Sequence, residues 1–305
     1  MRYTARLLSL FFGLSLNVAL SETAAVINWP DGYVVYENTA SPDGRYGVLV
    51  PTMEAWEQDE SLSEANYLAD IKNHRVLGKI DKVDYFEHQN HRGLEVFWAP
   101  QSSVCVVEND GRFGADSISV LEINDSSFVQ TEIGDHIQKS LDGAMKKQAR
   151  APEMAGDVSP YFRFGSDRKV RVRALSQNNP KQFEDVKTYY ALFQGTFDVA
   201  AKKWIVTDAR SINAEQDDAL ETVYSDLEQD LEHTTFQNEE DKAESLDKKM
   251  NKIYRAAQFI LSPARFTAVK KEQIDWLKKR NARPSTEEKC KLMEARIKAL
   301  QEFVW

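Results

Sequence analysis

The feature that most constrains this chain is a change of residue pattern near residue 213. Before it, short runs of β-branched and aromatic residues alternate with Gly-, Asp- and Asn-containing turns. After it no glycine occurs, and apolar residues recur every three or four positions. The first pattern predicts antiparallel strands and the second predicts amphipathic helices. We therefore predict an α+β fold with two domains, a β-rich domain over residues 22–212 and a small all-α helical bundle over 213–305.

The N-terminus has the layout of a secretory signal peptide. Arg2 and Arg6 precede an apolar run over residues 7–20, and small residues allow cleavage after Ser21. The alternative is an uncleaved membrane anchor, but the run is shorter than the ~20 residues that a spanning helix needs. We expect residues 1–21 to be removed and the protein to be exported, periplasmic or secreted, with no membrane span left.

The β-rich domain is predicted from short strand-like runs. These cover residues 33–36, 46–50, 67–71, 76–80, 94–98, 104–107, 117–123, 161–164, 170–174, 188–193 and 204–207. Asp110-Gly111 is typical of a hairpin turn, and an amphipathic helix is predicted over 134–149. Arg171 and Arg173 alternate with apolar residues, so we expect their strand to have one face in solvent.

Part of this region repeats. The segment 41–50 is echoed by 99–107, which follows Trp98. Residues 30–125 thereby resemble a blade of a WD40-like or TolB-like β-propeller. A closed propeller needs at least about four blades of ~40 residues, and the chain has room for about two. We therefore predict a propeller-like or meander sheet and no closed propeller.

Four helices are predicted after residue 213. Ser262 followed by Pro263 is typical of a helix start, and Ser285 with Glu288 forms a capping box. The third helix places Gln273 and Arg280 on its apolar stripe. We predict that both form hydrogen bonds inside the bundle, with Arg280 lying across Trp276; the alternative is a recognition patch.

These helices carry a recognisable series of residues. In order they are Met250-Asn251-x-x-Tyr254, Gln273-x-x-Trp276-x-x-x-Arg280, Cys290 and Arg296-x-x-x-Leu300. Residues 238–303 thereby resemble the lysozyme-inhibitor LprI-like family. The chain differs from the family's usual pattern in having no cysteine between residues 106 and 289. The resemblance implies an exported helical domain and, through it, binding and inhibition of a lysozyme or another wall-active enzyme.

Charge divides the helical region. Residues 214–247 contain thirteen acidic residues and one lysine, whereas 248–305 carry a net charge of +9. One hypothesis is ion pairing within the bundle. The other is an acidic face that attracts a cationic protein such as lysozyme, with Asp217, Asp218, Asp226 and Glu228 as candidate binding residues. The net charge of −9 for the whole chain argues against nucleic acid as a partner.

Few residues suggest other chemistry. Cys105 and Cys290 either form a disulfide, which an exported protein permits, or are two separately buried thiols. His88-x-x-His91 beside Glu87 has the residue types of a metal site, although such histidine pairs are more often solvated. No phosphate-binding glycine loop, nucleophile elbow or zinc-protease motif occurs in the sequence, and we expect no cofactor and no metal.

Two functions remain open on the sequence alone. The first is a non-enzymatic exported binding protein that acts through the LprI-like helical domain. The second is an envelope enzyme with its active site in the β-rich domain. A pocket with converging polar groups in that domain would favour the second.

Overall fold

The computed structural model describes residues 29–112, 114–147, 157–178, 188–228, 236 and 238–305. The predicted signal peptide, 1–21, lies outside these residues. The strands are β1 (Tyr33–Val35), β2 (Tyr46–Pro51), β3 (Tyr67–Asp70), β4 (Arg75–Lys79), β5 (Gly93–Trp98), β6 (Val104–Gly111), β7 (Gly114–Ile123), β8 (Phe128–Glu132), β9 (Asp157–Phe164), β10 (Lys169–Gln177), β11 (Tyr190–Asp198) and β12 (Lys203–Ile212).

The helices are α1 (Met53–Gln58), a 3-10 helix (Glu60–Glu64), α2 (Gly134–Lys146), α3 (Ala214–Glu228), α4 (Glu239–Ile260), α5 (Pro263–Asn281) and α6 (Thr286–Val304). Ser262 and Ser285 cap α5 and α6 through their hydroxyl oxygens, as predicted. Within the described ranges, no helix is both long enough and apolar enough to cross a membrane.

The strands form three antiparallel meanders of four consecutive strands each. We call β1–β4 the N-terminal sheet, β5–β8 the middle sheet and β9–β12 the C-terminal sheet. The mixed α+β class and the meander are confirmed, and the sheets do not close into a propeller. Each predicted strand overlaps an observed one, whereas β8, α1 and the 3-10 helix were not predicted.

The sheets and helices are stacked as layers, with a hydrophobic cluster between each pair. Cys105 and Val107 of β6 face the N-terminal sheet. Val104 and Val106, on the other face, pack with α2 and the C-terminal sheet. The far side of the C-terminal sheet packs on the helices, where Leu192 and Tyr224 belong to one cluster. The central strands β6 and β10 are therefore buried on both faces over most of their length.

The two cysteines lie in different layers. Cys105 is buried between the N-terminal and middle sheets, and Cys290 is buried in the helical cluster. Both are free thiols, so the disulfide hypothesis is wrong and the alternative of two separately buried thiols is correct. Burial raises the pKa of both thiols, which keeps them protonated and unreactive.

The hairpin between β6 and β7 turns later than predicted. Asp110 pairs with Gly93, and Gly111 pairs with Gly114. Asp110-Gly111 therefore ends a strand instead of forming the turn, because β6 continues through both residues. This places the Asp110 side chain on the face of the middle sheet.

The prediction of a solvent face around Arg171 and Arg173 is wrong, because α6 covers that face. Arg173 is only 8% exposed. Its guanidinium donates to the main-chain carbonyl of Val304 at 3.2 Å and to that of Trp305. Arg171 instead forms a more exposed ion pair of 3.0 Å with Glu302 of α6.

Arg173→Ala should lower the free energy of unfolding by roughly 2–5 kcal/mol, because it leaves two buried carbonyl oxygens without their charged donor. Arg171→Ala is the matched control, and its exposed ion pair should contribute less than about 1 kcal/mol. Chemical denaturation of the two variants and the parent chain measures both. Equal losses in the two variants would contradict a special role for Arg173.

Candidate functional site

The residues of the predicted family motif meet inside the helical bundle. Arg296 Nε donates to Gln273 Oε1 at 2.8 Å, and Gln273 Nε2 lies 3.6 Å from Met250 Sδ. Gln273 is buried although it is polar. The prediction that Gln273 is hydrogen-bonded within the bundle is confirmed, and the bond joins α5 to α6.

Arg280 joins α5 to α4. Its guanidinium forms an ion pair with Asp247 and lies 5.4 Å from the centre of the Trp276 ring, as predicted. Asn251 donates to the same carboxylate at 3.2 Å. The Tyr254 ring packs against Phe266 of α5, and the thiol of Cys290 lies 3.8 Å from the Glu239 carbonyl. These contacts give the motif residues a structural role.

The predicted binding residues of α3 separate into different environments. Asp226 is paired with Lys252 of α4 at 2.7 Å, and Glu215 is paired with Arg255 at 2.8 Å. Ion pairing within the bundle is therefore correct for this part of the acidic segment. The side chain of Glu228 lies outside the described part of the chain.

Asp217, Asp218 and Glu221 remain as a group, which we call the acidic end of α3. None of the three forms an ion pair with another described residue. Partial burial raises the pKa of Asp217 to about 6, and the negative charges of Glu221 and Asp218 add to the increase. This end of the helix therefore carries charge that the fold does not neutralise.

The histidine pair is not assembled into a metal site. His88 Nε2 lies 4.0 Å from Glu87 Oε1, and His88 and His91 are exposed turn residues with φ near +60°. Among the residues that the structure describes, no group of three His, Cys, Asp or Glu side chains is placed to hold a metal ion.

The sequence analysis missed a polar cleft on the middle sheet, which we call the carboxylate cleft. Its acidic residues are Glu95, Glu108 and Asp110, and its volume is about 470 Å³. Glu95 lies directly opposite Glu108 in the β5–β6 register. Only that register brings the carboxylates together, so no sequence spacing indicated them.

The cleft brings its carboxylates close enough to interact. A Cβ atom on Gly93 would lie 3.0 Å from a carboxylate oxygen of Asp110, so the glycine makes room for that side chain. Removal from water raises the pKa of Asp110 and of Glu95, and Asp110 raises the pKa of Glu95 further. The nearby Arg92 is paired with Asp84 at 2.8 Å and Asp116 at 3.3 Å.

A second depression, the aromatic groove, adjoins this cleft at Phe97. Its volume is about 400 Å³. Its lining residues come from β5, β9, α3 and α6: Phe97, Trp98, Phe162, Arg163, Phe164, Leu227, Gln301 and Trp305. The rings of Phe97 and Phe162 are 5.1 Å apart and form the point where β5 and β9 meet.

No family model matches the chain, and a search of curated proteins finds none that resembles it in sequence. Function is therefore inferred from the residues and the geometry described above.

Asp217→Asn should raise the free energy of unfolding at pH 7.5 relative to the parent chain. The folded state holds the Asp217 proton to about pH 6, whereas an unfolded aspartate loses it near pH 4. Ionisation of Asp217 therefore lowers the free energy of unfolding progressively between pH 4 and pH 6. Above pH 6 this destabilisation has its full size. Denaturation at pH 3.5 and 7.5 tests this, and the gain should disappear at pH 3.5.

Asp226→Asn is the control for this measurement. Because Asp226 has Lys252 as a partner, its substitution should bring no gain at pH 7.5. A gain as large as that of Asp217→Asn would show that the total charge of α3 matters and not the local group.

Proposed function

We propose that the protein is an exported, non-enzymatic binding protein that attaches to a cationic protein partner through its helical domain, residues 213–305. A lysozyme or another wall-active enzyme is the partner class that the LprI-like resemblance suggests. The observation that carries the proposal is the acidic end of α3. Asp217, Asp218 and Glu221 stay unneutralised there, although other acidic residues of the segment are paired with α4 and α5.

The charge at this site has a cost for folding. Partial burial, together with the negative charges of Glu221 and Asp218, raises the pKa of Asp217 to about 6, so its charged form makes the folded state less stable at neutral pH. Such a group is favoured at a binding surface because a cationic partner relieves the repulsion. Its field also accelerates association over roughly one Debye length, ~10 Å at 0.1 M salt.

The remaining parts of the chain fit this proposal. Residues 1–21 would direct export. The β-rich domain, residues 22–212, would support the helices, since the C-terminal sheet and the helices share one hydrophobic cluster. The motif residues Gln273, Arg280 and Arg296 would keep the bundle rigid while α3 presents its acidic end.

The mature protein should bind c-type or g-type lysozymes at low salt, with affinity falling as salt rises. Replacing the acidic end by Asp217→Asn, Asp218→Asn and Glu221→Gln should slow association roughly tenfold, with a smaller effect on dissociation. Surface plasmon resonance measures both rates, and residual cell-wall lysis measures inhibition.

The control carries Glu244→Gln on α4 and Glu287→Gln and Glu288→Gln on α6. These substitutions change the net charge by the same amount as the α3 variant. It should associate like the parent chain. Absence of binding to both lysozyme classes at low salt would contradict the proposal, and so would equal slowing in the control.

An enzyme in the β-rich domain is the second candidate, and the carboxylate cleft favours it. Carboxyl groups with a raised pKa in a cleft are suited to general acid–base catalysis. The protein would then hydrolyse a cell-wall polymer, and Glu95→Gln or Asp110→Asn should reduce the rate at least about 100-fold. Release of soluble fragments from purified peptidoglycan measures this, and no release by the parent chain would exclude that activity.

A further inference from the structure

We propose that the aromatic groove and the carboxylate cleft together bind one extended polypeptide segment of a partner protein. A lysine or arginine of the segment would lie in the cleft, and an apolar or aromatic side chain would lie in the groove. This proposal does not depend on the acidic end of α3, because none of those residues lines the cleft or the groove.

The groove offers apolar surface that the fold leaves partly uncovered. Phe97, Phe164 and Leu227 are only partly buried and line it. Both depressions have volumes within the range of about 300–1,000 Å³ that is usual for ligand sites. Aromatic side chains in such a groove can hold an apolar side chain and exclude water from its contacts.

Strand β9 runs along both depressions and is the outermost strand of its sheet. Val158 and Pro160 of β9 line the cleft, and Phe162 and Phe164 line the groove. At ~3.4 Å per residue this stretch is ~20 Å long, so an extended segment of about seven residues matches it. β9 is an edge strand of the C-terminal sheet, and β5 is an edge strand of the middle sheet.

Part of the outer edge of β9 exposes backbone hydrogen-bonding groups. Gly165 N donates to Lys169 O at 2.8 Å, and this bond sets the alternation along the β9–β10 pair. The backbone groups of Val158, Phe162 and Phe164 then point away from β10. Gly114 of β7 lies against those of Val158, so the open part of the edge is at Phe162 and Phe164. Pro160 also occupies an outward position, where its missing N–H removes no bond within the sheet. A partner segment can therefore pair with β9 at Phe162 and Phe164.

Charge complementarity decides which segment fits. Glu95 and Asp110 stand at one end of the site, and neither is in an ion pair with another described residue. Removal from water raises the pKa of both carboxyl groups, and the negative charges of Asp110 on Glu95 and of Asp116 on Asp110 add to the increase. A cationic side chain would relieve this repulsion, whereas an acidic peptide or a nucleic acid would add to it.

The test uses two acetylated heptapeptides that alternate phenylalanine with lysine or with glutamate. Calorimetry and tryptophan fluorescence monitor binding to the mature protein, because Trp305 lines the groove. The lysine peptide should bind at least tenfold more tightly than the glutamate peptide. Methylation of its alternate backbone amides, on the edge that pairs with β9, should weaken binding at least fivefold.

Glu95→Gln with Asp110→Asn should lower the affinity for the lysine peptide at least tenfold, with an unchanged circular dichroism spectrum. Asp217→Asn with Asp218→Asn makes the same change of charge on α3 and should leave this affinity unchanged. The control thereby separates this site from the proposed lysozyme surface.

Three results would overturn the proposal. They are equal binding of the two peptides, unchanged affinity in the cleft variant, and binding that requires added calcium and is lost with a chelator. The last would identify the carboxylates as a metal site instead.

Discussion

The structure depends on a buried guanidinium, that of Arg173, which holds the end of α6 against the C-terminal sheet. A buried charge destabilises a fold unless its donors are engaged. Here the carbonyls of Val304 and Trp305 accept from it, and the Tyr224 hydroxyl donates to the Val304 carbonyl at 3.3 Å. Around this point, Glu302 pairs with Arg171 at 3.0 Å. The helices and the sheet consequently share one hydrophobic cluster.

The docking of α6 also builds the surface on which the candidate site lies. Gln301 and Trp305, at the end of α6, form one wall of the aromatic groove, and Leu227 of α3 extends it. The opposite wall comes from β5 and β9, which are both edge strands. An exposed strand edge can pair with strands of other chains. On β9, Pro160 limits such pairing because proline has no N–H. The same placement leaves backbone groups available to a chosen partner.

Some acidic residues are ion-paired within the fold, and others have no cationic partner there. Asp226, Glu215 and Asp247 are paired with cations of neighbouring helices, and these pairs orient α3, α4 and α5. The acidic end of α3 and the Glu95–Asp110 pair of the cleft receive no such partner among the described residues. The pKa is raised for Asp217 in the first group and for Glu95 and Asp110 in the second, because removal from water and neighbouring negative charges favour the protonated form. Unrelieved repulsion on a stable scaffold points to binding.

The sequence alone determined the order of the elements and much of their chemistry. Local periodicity predicted eleven of the strands and the apolar face of α2, and short-range capping rules placed the starts of α5 and α6 at Ser262 and Ser285. Helical spacing also placed Arg280 over Trp276. These features depend on residues within a few positions of one another, where propensity and sterics act directly.

Only the tertiary structure decided the remaining features, because each depends on residues far apart in the chain. The strand register set Glu95 against Glu108 and moved Asp110 from a predicted turn to the face of a sheet. The stacking of layers separated Cys105 from Cys290, and α6 covered the face of β10 that alternation had assigned to water. Alternation shows that a strand has two kinds of face, but what covers each face is set by long-range packing.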